Sequence, residues 1–254
     1  MGRLLGYSSL FLLLLSGALL LRLPAALVYE QYESQLRANL PLELRQLRGS
    51  LWQGQSDELL YASQPLGAVQ WRTRWGALLA LQAGGSWRWS PQMQSYLQGE
   101  SYLNLAGVIL TEAKGQLLVT DVTRFVPFMP FVLEGQLLVD LPLIRATLTQ
   151  WQEIQGTIRW VNAATNVPRQ ISFGTVTAQL STTSEQVLRA ELSNEGGDMS
   201  FGGEATMTQA NLLKWSIDIA PRDRNDRQLA NSLALFKRPD REGVTRIRGE
   251  RRLK

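Results

Sequence analysis

Residues Val69 to Trp75 read VQWRTRW. Val69, Trp71, Thr73 and Trp75 fall on one side of an extended chain; Gln70, Arg72 and Arg74 fall on the other. Successive side chains of a strand point to opposite faces, so this segment is expected to be a strand with one apolar and one wet face. The same period recurs downstream. Leu79, Leu81, Ala83, Gly85, Trp87 and Trp89 alternate against Ala80, Gln82, Gly84, Ser86 and Arg88. Met199, Phe201, Gly203, Ala205 and Met207 repeat it, as do Trp215, Ile217 and Ile219 against Ser216 and Asp218. An antiparallel sheet with one solvated face produces this pattern.

Glycines punctuate the series. Segments beginning at Gly49, Gly85, Gly99, Gly115, Gly135, Gly156 and Gly174 each run glycine, polar residue, then an apolar or aromatic side chain within the next few positions. Glycine is expected there at strand starts, in bulges or tight bends of a meander. The string GQLLV occurs at 115–119 and again at 135–139. A shared strand grammar explains it better than duplication. Two segments interrupt the strands with helical signals. Residues 120–131, TDVTRFVPFMPF, open with capping candidates at Thr120 and Asp121 and are broken by Pro127 and Pro130. Residues 225–236 place Leu229, Leu233 and Phe236 on one helical face, with Asn225 as the expected cap and Arg238-Pro239-Asp240 as the stop. A last strand is expected from Val244 to Arg248.

Ahead of the strands, residues 4–21 read LLGYSSLFLLLLSGALLL, 18 residues without a charge. At 1.5 Å per residue that run spans about 27 Å, close to the hydrocarbon thickness of a bilayer. Continuing through residue 28 reaches the far interface if Arg22 snorkels, with Tyr29 and Tyr32 at headgroup level. A cleaved signal peptide has a shorter apolar core and an Ala-x-Ala-like site, and Pro24 stands where that site would fall. The expected organisation is a stub at 1–3, a transmembrane anchor at 4–28 and a β-rich domain at 29–254. The flanking charges, Arg3 on one side and Arg22 and Arg37 on the other, do not fix the orientation.

Of 254 residues, none is histidine and none is cysteine. Ser-His-Asp and Cys-His catalysis, and histidine- or thiolate-bound metals, are thereby excluded. No phosphate loop, dinucleotide fingerprint or nucleophile elbow occurs. Asp121 and Asp140 could form a carboxylate pair, but turn and capping roles explain them equally well. No catalytic residue, cofactor site or metal site is therefore expected, and no enzymatic activity.

Two features invite a binding reading. The first is the set of eight tryptophans. The alternation assigns Trp71, Trp75, Trp87, Trp89 and Trp215 to the buried face, leaving Trp52 and Trp151 as candidates for an exposed role. The second is charge. Residues 222–254 carry 11 Lys/Arg against 5 Asp/Glu, a net of +6, while the rest of the chain carries 15 against 17. Arg246, Arg248, Arg251, Arg252 and Lys254 could meet anionic lipid or an acidic partner; otherwise they are solvated charges that protect a sheet edge. No base-reading motif is present, so nucleic acid is not an expected partner.

The order of features resembles protein N of the type II secretion system over nearly the whole chain. It is carried by residues 47–54, LRGSLWQG; by the tryptophan-bearing strands; and by Phe125-x-Pro127-Phe128. The leucine-rich helix, Arg238-Pro239-Asp240 and the Gly243-x-x-Arg246-Ile247-x-Gly249 strand complete it. The arginine-dense ending departs from that pattern. The resemblance implies a single-pass inner-membrane protein with a periplasmic domain, an accessory of the machinery that exports folded proteins across the outer membrane. It implies as partners other inner-membrane components and the outer-membrane secretin, with lipid around the N-terminal helix. A meander on an N-terminal anchor also resembles AsmA-like lipid-binding modules, in which the apolar side of the sheet forms a groove.

Overall fold

The computed structural model describes residues 22–39, 42–74, 83–104, 107–123, 132–147, 150–166, 170–223, 225–226, 229, 240 and 243–252. Residues 1–3 and most of the expected anchor, 4–21, lie outside this set. So do Trp75, Leu79, Leu81, the Phe125–Phe128 segment, most of the 225–236 helix and Lys254. Among the described residues no helix is long and apolar enough to cross a membrane.

The chain divides into two compact units between Gln92 and Met93. The first opens with helix α1, Ala25–Asn39, followed by β1 (Leu42–Gly49), β2 (Gln53–Tyr61), β3 (Gln64–Thr73) and β4 (Ala83–Gln92). Consecutive strands pair antiparallel, in chain order. Residues 25–28, the end of the expected anchor, form the first turn of α1. Pro24 bridges Ser50, and the Leu51 amide donates to the Leu23 carbonyl at 2.9 Å. Tyr29, expected at a membrane interface, turns its hydroxyl toward β1 and accepts the Leu44 amide at 3.0 Å. Arg37, near the C-terminus of α1, pairs with Glu33 at 2.6 Å and with Glu43 of β1 at 3.1 Å.

The second unit contains β5 (Ser95–Asn104), β6 (Gly107–Leu118), a short helix α2 (Val119–Thr123), β7 (Leu133–Ala146) and β8 (Trp151–Thr165). It continues through β9 (Ile171–Thr182), β10 (Leu188–Glu195), β11 (Met199–Met207), β12 (Leu212–Pro221) and β13 (Thr245–Arg252). All nine strands form an antiparallel meander, and the mainly β reading holds. The two GQLLV strings prove to be facing arms of one pairing, with Gly115 opposite Val139 and Leu117 opposite Leu137.

Register produces one apolar row across this unit. It runs Leu97, Gly115, Val139, Ile158, Ala178, then Leu192, Gly203, Ile217 and Ile247, each opposite the next. The adjacent row on the other face is polar, from Lys114 and Asp140 through Gln179 and Glu191 to Ser216 and Arg248. Val139 is buried, and every other member of the apolar row is half-buried. Full enclosure is local. Ile171, Met199 and Leu229 form a buried cluster against which Phe173 and Ile219 pack.

Leu229 belongs to the expected amphipathic helix, and its amide donates to Asp226 Oδ1 at 2.8 Å. Asp226 therefore occupies the capping position expected for Asn225, whose own amide donates to Asp223. The glycines meet the expectation of bulges, but inside strands and not at their starts. Gly85, Gly115, Gly135 and Gly156 lie inside strands, Gly135 and Gly156 at positive φ. Register shifts flank Gly99 and Gly135, so these glycines mark bulges within long strands instead of strand starts.

Leu229 is 1% exposed. Leu229→Ala is expected to lower the unfolding free energy by about 2–5 kcal/mol through lost burial and the cavity left among Ile171 and Met199. Urea titration of the purified chain measures it, with exposed Leu103→Ala as the near-neutral comparison.

Candidate functional site

Two structured regions correspond to the sequence motifs. The first is the β1–β2 turn, residues 47–54. Gly49 adopts φ +89°, a conformation other residues enter only with strain. Ser50 closes the turn: its amide donates to the Gln53 carbonyl at 2.9 Å, and its hydroxyl accepts the Gln53 amide at 3.1 Å. Leu51 then receives the Trp71 indole N–H on its carbonyl at 3.0 Å, and Trp52 receives the Thr73 amide at 2.6 Å. A Cβ on Gly54 would come within 2.5 Å of the Trp71 ring, so the ring lies directly over that glycine. The motif is thus a knot joining the incoming chain at Leu23, the first hairpin and β3.

The second region is the β12–β13 pair. Trp215 stands opposite Gly249, and its ring covers it: a Cβ there would meet the indole at 2.3 Å. Arg246 is bidentate on Asp218, with Nε donating to Oδ1 at 2.6 Å and Nη2 to Oδ2 at 2.8 Å. This bond from Arg246 holds the Asp218 carboxyl below the usual carboxylate range. Ile247 continues the apolar row. Gly249, Ile247 and Arg246 are therefore explained by a covering ring, a buried face and a cross-strand ion pair.

Trp71, Trp89, Trp160 and Trp215 behave as structural residues. Trp89 donates its indole N–H to the Leu66 carbonyl at 2.9 Å, and Trp160 to Glu134 at 2.8 Å. Trp160, not singled out by the sequence pattern, also stacks at 5.9 Å on Phe173. Trp52 and Trp151, the candidates for an exposed role, are both half-buried. The Trp151 carbonyl accepts Gln209 Nε2 at 2.5 Å.

The two aspartates are not brought into a desolvated pair. Asp121 is buried in α2 and accepts the Ser95 hydroxyl at 2.5 Å; Ser95 in turn accepts the Leu118 amide at 2.9 Å. Asp140 has a 60% exposed side chain and lies 3.6 Å from Lys114 Nζ. Among the described residues no cluster of His, Cys, Asp or Glu could hold a metal ion.

The sign of the Asp218–Arg246 coupling is testable. A carboxyl with a lowered pKa in the folded state adds stability above its unfolded pKa, and that contribution is lost as pH falls through the lowered value. Arg246→Ala is expected to return the Asp218 titration, followed by carboxyl carbon NMR, toward the ordinary range.

The family model for type II secretion system protein N matches residues 41–248. The type II secretion system protein N of Vibrio cholerae serotype O1 is 24% identical over 247 residues, covering 96% of each chain. That of Aeromonas hydrophila is 25% identical over 259 residues, covering 97% of each. No solved structure matches. With the first motif region, β1 to β12 and β13 as far as Arg248 inside the matched range, the chain belongs to the type II secretion system protein N family.

Proposed function

We propose that the chain is a non-enzymatic accessory of the type II secretion machinery, a tethered scaffold that docks other components of that machinery. The observation that carries this reading is the family match from residue 41 to 248, which takes in both compact units. The absence of histidine and cysteine from the sequence supports the non-enzymatic part. In this reading the uncharged run at 4–21, the larger part of the expected anchor at 4–28, holds the protein in the inner membrane as a single span, with the β units in the periplasm. The uncharged run of 18 residues supports the tether. The bond from Leu51 to Leu23 would then keep the first hairpin next to the bilayer. Partners would be other inner-membrane components and the outer-membrane secretin.

The test is co-purification of the full chain, extracted from native membranes in mild detergent. The expected result is an integral-membrane fraction that brings down secretion components. A chain released from membranes by alkaline carbonate, or one that recovers no secretion component, sinks the reading.

One observation favours a second reading, an AsmA-like lipid-binding module. The apolar row of the second unit is continuous over nine strands and mostly half-buried, a surface able to hold acyl chains. Native mass spectrometry of the detergent-extracted chain separates the readings. Under the lipid reading phospholipid stays bound in fixed ratio and is lost in Ile158→Glu, which puts a charge in the middle of the row. Under the scaffold reading neither protein retains it.

A further inference from the structure

The apolar row of the second unit ends on an open edge. Among the described residues β13 pairs with β12 on one side, and no strand pairs with its other side. A strand in that position presents unpaired backbone N–H and C=O groups that can template another strand. The sequence of this edge, TRIRGERR, is not neutral: it carries four arginines against one glutamate in eight residues.

The side chains alternate. Arg246 and Arg248 are exposed on the polar face, while Ile247 and Gly249 are half-buried on the apolar face between Thr245 and exposed Arg251. On the polar face, Arg246 is engaged by Asp218, while Arg248 donates to the neutral Ser216 hydroxyl at 3.4 Å and also feels the Asp218 carboxylate that Arg246 already pairs. Lys214 and Glu250, 4.0 Å apart, offset each other further along. Arg248, Arg251 and Arg252 therefore leave positive charge on the edge.

This pattern discriminates among occupants. A second copy adding edge to edge would lay arginines against arginines, and like charges directly opposite are destabilising. An anionic bilayer would attract the arginines but leaves the edge's backbone ladder unpaired. An extended segment with acidic residues on one face and apolar residues on the other satisfies all three requirements. Its backbone completes the ladder, its carboxylates face Arg248 and Arg252, which share the polar face, and its apolar side extends the row past Ile247.

We propose that β13 is the docking edge for an acidic, alternating β-strand of a protein partner, added to the second unit as one more strand. The charge rejects self-association, and the unpaired ladder with Ile247 supplies the contact area. This inference does not depend on the secretion reading, because it uses only the edge.

The test uses the full chain in nanodiscs of neutral lipid. The probe is a labelled Glu-Val alternating peptide of the same eight-residue length as β13. A peptide of equal composition with its Glu and Val in blocks, and a Lys-Val alternating peptide, are the comparisons. The expected result is binding of the alternating acidic peptide alone by fluorescence anisotropy, with slowed amide exchange in residues 245–252. The double variant Arg248→Glu with Arg252→Glu, both exposed and checked for folding by circular dichroism, is expected to bind about tenfold more weakly. Equal binding of the blocked peptide, unchanged affinity of the variant, or no protection of 245–252 overturns the proposal. So does binding of phosphatidylglycerol vesicles with no binding of the peptide, which assigns the arginines to a membrane surface.

Discussion

The second unit depends on the shared register of its apolar row. Leu97, Val139, Ile158, Leu192, Ile217 and Ile247 come from six different strands, yet stand in one line. A slip of one residue in any strand would exchange Ile158 for an exposed neighbour such as Arg159, so the pairing is fixed by burial on one side alone. The polar rows are permissive by comparison. Lys114 with Asp140, and Arg189 with Glu204 at 3.0 Å, are exposed pairs of small energy. They accept the register that the apolar row imposes.

Meander strands of this length must also twist, and that need accounts for the tryptophans and glycines together. Trp71 over Gly54 and Trp215 over Gly249 repeat one device: a glycine lets a neighbouring ring lie flat across the strand, and the ring shields backbone that the glycine leaves bare. The indole N–H groups of Trp71, Trp89 and Trp160 then find main-chain carbonyls. These bonds hold the three rings against the main chain.

Much of this was legible in the sequence wherever the two-residue period was long and unbroken. VQWRTRW reads directly: Val69, Trp71 and Thr73 are half-buried, while Gln70, Arg72 and Arg74 are exposed. The strand placements at 199–207 and 212–221 follow from the same alternation. What escaped was set by contacts between distant residues. Glycine bulges were expected, but only the pairing with neighbouring strands places Gly99 and Gly135 within long strands and not at their starts. Asn225 and Asp226 are equivalent caps by composition, and only the aim of the Leu229 amide chooses between them. Trp52 and Trp151 lack flanking alternation, yet main-chain bonds to β3 and to Gln209 fix their backbones. Asp121 looked like a helix cap and is instead the buried acceptor of a serine 26 residues earlier.

The bond between Leu51 and Leu23, beside the Pro24–Ser50 bridge, has a mechanical consequence. A domain joined to its tether by a slack linker swings freely and transmits no torque. Here the chain leaving Arg22 is clamped at once to the first hairpin, and α1 is braced on β1 through Tyr29 and Arg37. A pull on Leu23 passes straight into β1 and β2. Leu23, Pro24 and α1 thus move with the first hairpin as one piece.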